Sequence, residues 1–167
     1  YFLIAKEVGD LTRSICSILE ERQKKSVPVI SKAISFIYAK KLDGFIVTSG
    51  RINVANDWFF KEDPLNILKL FNLSSEQDLF IHPNAIRVLR QSINLVNKTL
   101  REDKEANNLF LKILLSEKNA EATLRAMNET GVLGRFILDF GKIVGLMQFN
   151  MYHHFTADEH LLRAIGE

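Results

Sequence analysis

Cysteine is almost absent: Cys16 is the only one in 167 residues, so no intrachain disulfide can form. That fits a reducing compartment, and a cytoplasmic protein is the expectation. No apolar run approaches the roughly 18 residues needed to cross a bilayer, and no charged-start, apolar-middle segment precedes a small-residue cleavage site. Strong charge of one sign is missing too. With 22 Lys+Arg against 20 Asp+Glu the net charge is +2, which argues against nucleic acid as a partner. The basic pairs Lys24-Lys25 and Lys40-Lys41 are too short for a phosphate track and fit solvated helix ends. Gly-x-Ser-x-Gly and His-Glu-x-x-His are absent. The stretch Gly131-Val132-Leu133-Gly134-Arg135 lacks the Gly-Lys-Ser/Thr ending of a phosphate loop.

What remains is a globular composition, 47% hydrophobic and 25% charged, in a chain long enough to bury a core without staples. Helical periodicity dominates, and the expected fold is mainly α, a helical bundle with one short β-hairpin. Ile4, Val8, Leu11, Ile15 and Ile18 repeat in steps of four and three and make one apolar stripe. Cys16 lies beside it and is expected to be a small buried hydrophobe. After a break at Pro28, a second helix is predicted over Val29–Lys41 with Ile30, Ala33, Ile34 and Ile37 inward, and Gly44 is its stop signal. The period then changes. Phe45 to Val54 alternates around Ser49-Gly50 and predicts a hairpin that must pack on helices, because such a ribbon is marginal alone.

Asp63-Pro64 predicts a helix start with Ile67, Leu68 and Phe71 inward, and His82-Pro83 predicts another, with His82 as cap. From there Ile86, Leu89, Ile93, Val96 and Leu100 suggest one long helix. Ala106 to Leu114 forms the next, and Asn119 can cap a helix carrying Leu124 and Met127 that ends near Gly131. Trp58-Phe59-Phe60 is expected to plug the core beside the hairpin. Glycines 131, 134, 141 and 145 then punctuate an apolar stretch, followed by His153, His154 and His160. This shift divides the chain into residues 1–135, a helical connecting domain, and residues 136–167, the start of a second domain.

Thr156 and Glu159 have capping-box spacing, so a helix should begin at Ala157 and run through Leu161, Leu162 and Ile165. His160 occupies the fourth helical position, where a hydrophobic partner for Phe155 would be usual. Neutral imidazole is a common metal ligand, yet a histidine of intermediate burial is also ordinary, and spacing alone leaves both open. His153 and His154 would diverge by about 100° on a helix and could not chelate one ion together. His154 could meet His160 across the bend before Thr156, which makes it the weaker metal candidate.

The run from Met147, Gln148, Phe149 and Asn150 through His153, His154, Phe155 and Thr156 to Asp158, Glu159 and His160, with Gly131–Phe136 before it, resembles the entry to the HD domain of bacterial PII uridylyltransferase/uridylyl-removing enzymes. Asp63–Leu68, His82-Pro83 and the opening Ala5–Leu11 resemble the helical region that follows the nucleotidyltransferase domain of that family. The resemblance implies a bifunctional regulator of nitrogen assimilation that transfers UMP from UTP to the PII signal protein and hydrolyses it off again. It implies a divalent metal, Mg or Mn, in the parent enzyme, and neighbouring nucleotidyltransferase and HD domains as partners. By position His160 resembles the first metal-binding His of the HD set, and His153 or His154 falls at another recurring histidine. The chain departs from the family by lacking the Gly-Ser plus paired-Asp transferase motif, the later His-Asp pair and the glutamine-sensing ACT region. The expectation is therefore a piece of the enzyme, opening at Tyr1 within an apolar pattern and stopping at Glu167 within another. No catalytic set is complete in it, and it should bind metal weakly and catalyse nothing alone. The rival readings are a stand-alone helical protein-interaction module and a piece of glutamine synthetase adenylyltransferase.

Overall fold

Asp43 and Gly44 both hold positive φ, 48° and 85°, the backbone that a two-residue hairpin turn requires. In the computed structural model this turn joins strand β1 (Lys40–Leu42) to β2 (Phe45–Thr48). The structure describes residues 40–48, 50–146 and 156–166, together with helical residues 4, 5, 8, 9, 11, 12, 15, 16 and 19. Lys40 and Lys41 are therefore strand, not the end of a helix, and Gly44 is a turn residue rather than a helix stop. The turn chemistry of Asp-Gly overrides helical pattern here. The rest of the predicted second helix, with Pro28, Ile30, Ala33, Ile34 and Ile37, lies outside the described residues.

The predicted hairpin is present as β2 and β3 (Arg51–Asn53), antiparallel with Val47 opposite Ile52. It is the centre of a larger sheet. Order runs β1-β2-β3-β4, where β4 (Phe80–Ile81) lies parallel to β3 with Ile52 beside Ile81. Alternation buries Phe45, Ile52 and Val54 on the face that meets the helices. Between β3 and β4 lie α1 (Phe59–Glu62) and α2 (Asn66–Gln77). Phe59 and Phe60 are buried, and the Phe59 ring meets Phe45 edge-on at 4.8 Å, so these rings join ribbon to helix as expected. Trp58 is not part of the plug. It stands exposed at the N-terminus of α1.

Helix α2 is the core element, with Ile67, Leu68, Leu70 and Phe71 fully buried. Asp63 Oδ1 accepts from the Leu65 N–H at 3.0 Å, so Asp63-Pro64 makes a turn one step ahead of the helix. His82 caps α3 (Pro83–Gln91): its Nδ1 accepts from the Asn84 N–H at 3.1 Å, and Pro83 fills the first helical position. The expected long helix is broken after Gln91. A 3₁₀ turn (Ile93–Leu95) follows, and α4 (Lys98–Glu102) restarts where the Asn97 side chain caps the Leu100 N–H. Part of the stripe survives the break: Leu89, Val96 and Leu100 are buried, whereas Ile86 and Ile93 are only half-buried.

Helices α5 (Lys104–Leu114) and α6 (Ala120–Glu129) pack on α2 and on each other. Asp103 caps α5 at the Ala106 N–H, 2.8 Å. Asn119 precedes α6, but its amide donates to Ser75 O at 3.1 Å instead of capping, tying α6 to the end of α2. Leu124 and Met127 are buried as predicted. Gly131 (φ 79°) ends α6, then α7 (Val132–Phe136) and α8 (Leu138–Ile143) form a tight pair. Their backbones touch at Gly134 and Gly141, where a Cβ on Gly134 would stand 3.0 Å from the Gly141 Cα. Last comes α9 (Ala157–Gly166), packed on α6 and α8.

The first apolar stripe departs from expectation. Residues 4, 8, 11 and 15 are helical, but Ile4, Val8, Leu11 and Ile15 are all exposed, and Ile18 lies outside the described residues. Cys16 is exposed with them rather than buried, because none of the described residues of this stretch belongs to the core cluster.

Candidate functional site

Helix α9 begins at Ala157 as the capping pattern predicts, and the His160 N–H donates to Thr156 O at 2.9 Å. That is a backbone bond, and neither side-chain bond of the capping box accompanies it. Glu159 turns away from Thr156 toward α6. Its Oε1 and Oε2 accept from Arg125 Nη1 at 2.7 and 2.6 Å, and Oε1 accepts from Arg163 Nε at 3.3 Å. A partly buried guanidinium offers two charge-assisted hydrogen bonds where a backbone N–H offers one neutral donor. Arg125 Nη2 also donates to Glu121 Oε1 at 2.6 Å, so one side chain bridges two carboxylates.

Electrostatics follow the geometry. Burial alone pushes the Glu159 carboxyl up, but the hydrogen bonds and charges of Arg125 and Arg163 outweigh it and hold it below the usual value. Arg125 is raised by its bonds to Glu159 and Glu121.

Asp158 is 2% exposed, a carboxylate taken almost wholly out of water, which is costly unless it is hydrogen-bonded. Asn128 Nδ2 donates to its Oδ2 at 3.0 Å, and the Gly145 N–H donates to Oδ1 at 3.1 Å. The Ala157 N–H reaches Leu146 O at 2.9 Å. Leu162 is fully buried in the core cluster. Helix α9 is thus held on one face by Asp158 and Leu162, one turn apart.

His160 lies two residues, about 200°, around the helix from Asp158, and it is exposed. His153 and His154 lie outside the described residues, as does the motif from Met147 to Phe155, and the pairing of His154 with His160 falls there with them. Among the described residues no three of His, Cys, Asp and Glu come together in a way that could hold a metal ion. Asp158 and Glu159, the acids beside His160, are turned to Asn128 and Arg125. The described residues therefore do not fit a metal centre by themselves.

Sequence reasoning passed over Arg125 and Asn128. The spacing of Glu121 and Arg125 signals a same-face pair on α6, but nothing local marks a partner in α9, 34 residues from Arg125.

A mainly helical module with a small sheet, carrying one histidine-bearing helix keyed into its last long helix, is what the fold defines. The chain belongs to the family described as the uridylyltransferase GlnD third domain, which matches residues 45–136. It is 52% identical over 172 residues to a bifunctional uridylyltransferase/uridylyl-removing enzyme of Nitrobacter winogradskyi. It is 50% identical over 173 residues to the protein of the same name from Bradyrhizobium sp. (strain ORS 278). Each alignment covers 99% of this chain, which spans only 18% of the length of either relative. No solved structure matches the chain.

Proposed function

We propose that this chain serves as the helical scaffold between the two activities of a bifunctional enzyme that attaches UMP to the PII signal protein and removes it again. The observation that carries this is the half-identity to two relatives of that name across 99% of the chain, joined to the third-domain match over residues 45–136. The scaffold reading accords with the site, where α9 is locked to α6 through Arg125 and Asn128. Residues 136–167 then open the uridylyl-removing domain, and His160 is the residue that α9 presents to it. The cytoplasm is the compartment that such a protein would occupy. A divalent metal, Mg or Mn, belongs to the parent enzyme under this reading, with ligands beyond those described.

The test is made in the full-length polypeptide that carries this chain, with UTP and PII as substrates. His160→Ala should abolish removal of UMP from modified PII and leave transfer intact, while the 167-residue chain alone should do neither. Full removal activity in His160→Ala, or turnover by the isolated chain, would sink the reading.

A further inference from the structure

The joint between α6 and α9 crosses the edge of the third-domain match: α6 lies inside residues 45–136 and α9 beyond them. It is fastened mainly by directional contacts. Asp158 is held by Asn128 and the Gly145 N–H, Glu159 by Arg125, and Arg125 is steadied from behind by Glu121. At the far end Gly166 lies so close to the Glu121 carboxylate that any Cβ there would collide with it. One apolar side chain, Leu162, is sunk fully into the core at the centre.

These contacts fix rotation as well as position. Asp158 and Glu159 are successive residues about 100° apart on α9, and each is tied to a different residue of α6. Turning α9 in either direction would break one tie, parting the buried Asp158 from Asn128 or the half-buried Glu159 from Arg125, and a buried acceptor left unmatched is costly. His160 follows directly in sequence, so its direction is set by the same two ties. We propose that Asn128 and Arg125 are positioning residues for uridylyl removal, acting through Asp158 and Glu159 to set the direction in which α9 presents His160. This rests on the reading of His160 given above.

An exchange of side chains separates positioning from folding. Asn128→Asp alone puts two carboxylates face to face in a buried site. The double exchange Asn128→Asp with Asp158→Asn restores the bond with its polarity reversed, and the amide oxygen it places on α9 can still accept from the Gly145 N–H. In the full-length polypeptide, Asn128→Asp should lower UMP removal by about ten- to a hundredfold, the scale of a misplaced catalytic group. Transfer to PII should change by less than about twofold, and the amides of α9 should exchange hydrogen faster. The double exchange should return removal and exchange protection to near the parent values. Arg125→Gln should act in the same direction as Asn128→Asp.

If His160→Ala leaves removal intact, the reading beneath this proposal fails. If His160→Ala abolishes removal while Asn128→Asp and Arg125→Gln change neither removal nor exchange of α9, the positioning role is overturned and that reading survives. Equal loss of both activities that the double exchange does not relieve also overturns it.

Discussion

Arg125 Nη1 sits within 2.7 Å of both carboxylate oxygens of Glu159, joining two helices through residues 34 apart in the chain. With both side chains about one-quarter to one-third exposed, the pair lies between a surface ion pair of little worth and a buried one. In a double-mutant cycle of Arg125→Gln and Glu159→Gln, measured by urea unfolding of this chain, the coupling should be about 1–2 kcal/mol. It should shrink with added salt only modestly. Strict additivity would show that the geometry carries no energy.

The same pair gives a pH signature. Glu159 has a folded-state pKa below its ordinary value of 4.5, so its stabilisation is fully present above that value. It is lost as pH falls through the lower, folded value. The stability difference between the parent chain and Glu159→Gln should therefore be flat at neutral pH and narrow only below about pH 4.5. A difference that instead grew on acidification would contradict the assignment.

Gly141 has no room for a side chain. A Cβ there would run into the Gly134 carbonyl, and backbone cannot step aside as a flexible side chain can. Gly141→Ala should cost about 1–3 kcal/mol, the range of an overpacked contact, seen as a lowered urea midpoint with an unchanged slope. Midpoints within error of the parent would mean that α7 and α8 do not meet as closely as described.

Gly44 is constrained by conformation more than by space. Its φ of 85° is unfavourable for any residue with a Cβ, at about 1–2 kcal/mol, and the added atom would stand 3.4 Å from the Phe59 ring. Gly44→Ala should therefore destabilise by roughly that amount. Phe71→Ala, by contrast, empties a fully buried ring position and should cost about 3–5 kcal/mol. Reversal of that order in thermal unfolding would be inconsistent with α2 as the core.

The helices that could be foreseen are those whose signals are local. Ile67, Leu68 and Phe71 carry their own period, and His82-Pro83 and Thr156-Ala157 carry their own start signals. Ala157–Gly166 matches the predicted helix closely. Where two local signals competed, the stronger was passed over. Asp43-Gly44 is a hairpin signal, yet a helical pattern running up to Lys41 made Gly44 look like a stop. The break near Ser92 has no Pro or Gly to announce it, only the capping preference of Asn97. The two-residue strand β4 is too short to show alternation, and its Phe80 faces outward, 77% exposed, against the usual hydrophobic logic. The site divided in the same way. His160 stood out because a histidine is unusual at its helical position, whereas Arg125 and Asn128 look like ordinary helix residues until α9 is laid against them.

The pairing of Ile52 with Ile81 has a kinetic side. A two-helix excursion separates β3 from β4, so this edge of the sheet is a non-local contact whose loop entropy must be met before it can form. The hairpin and α2 can each begin locally, but the parallel pair must wait for the helices between them to assemble. Substitutions that weaken only β4 should then speed unfolding and leave the refolding rate almost unchanged. One sheet would thus form at two different times, its antiparallel ribbon early and its parallel edge late.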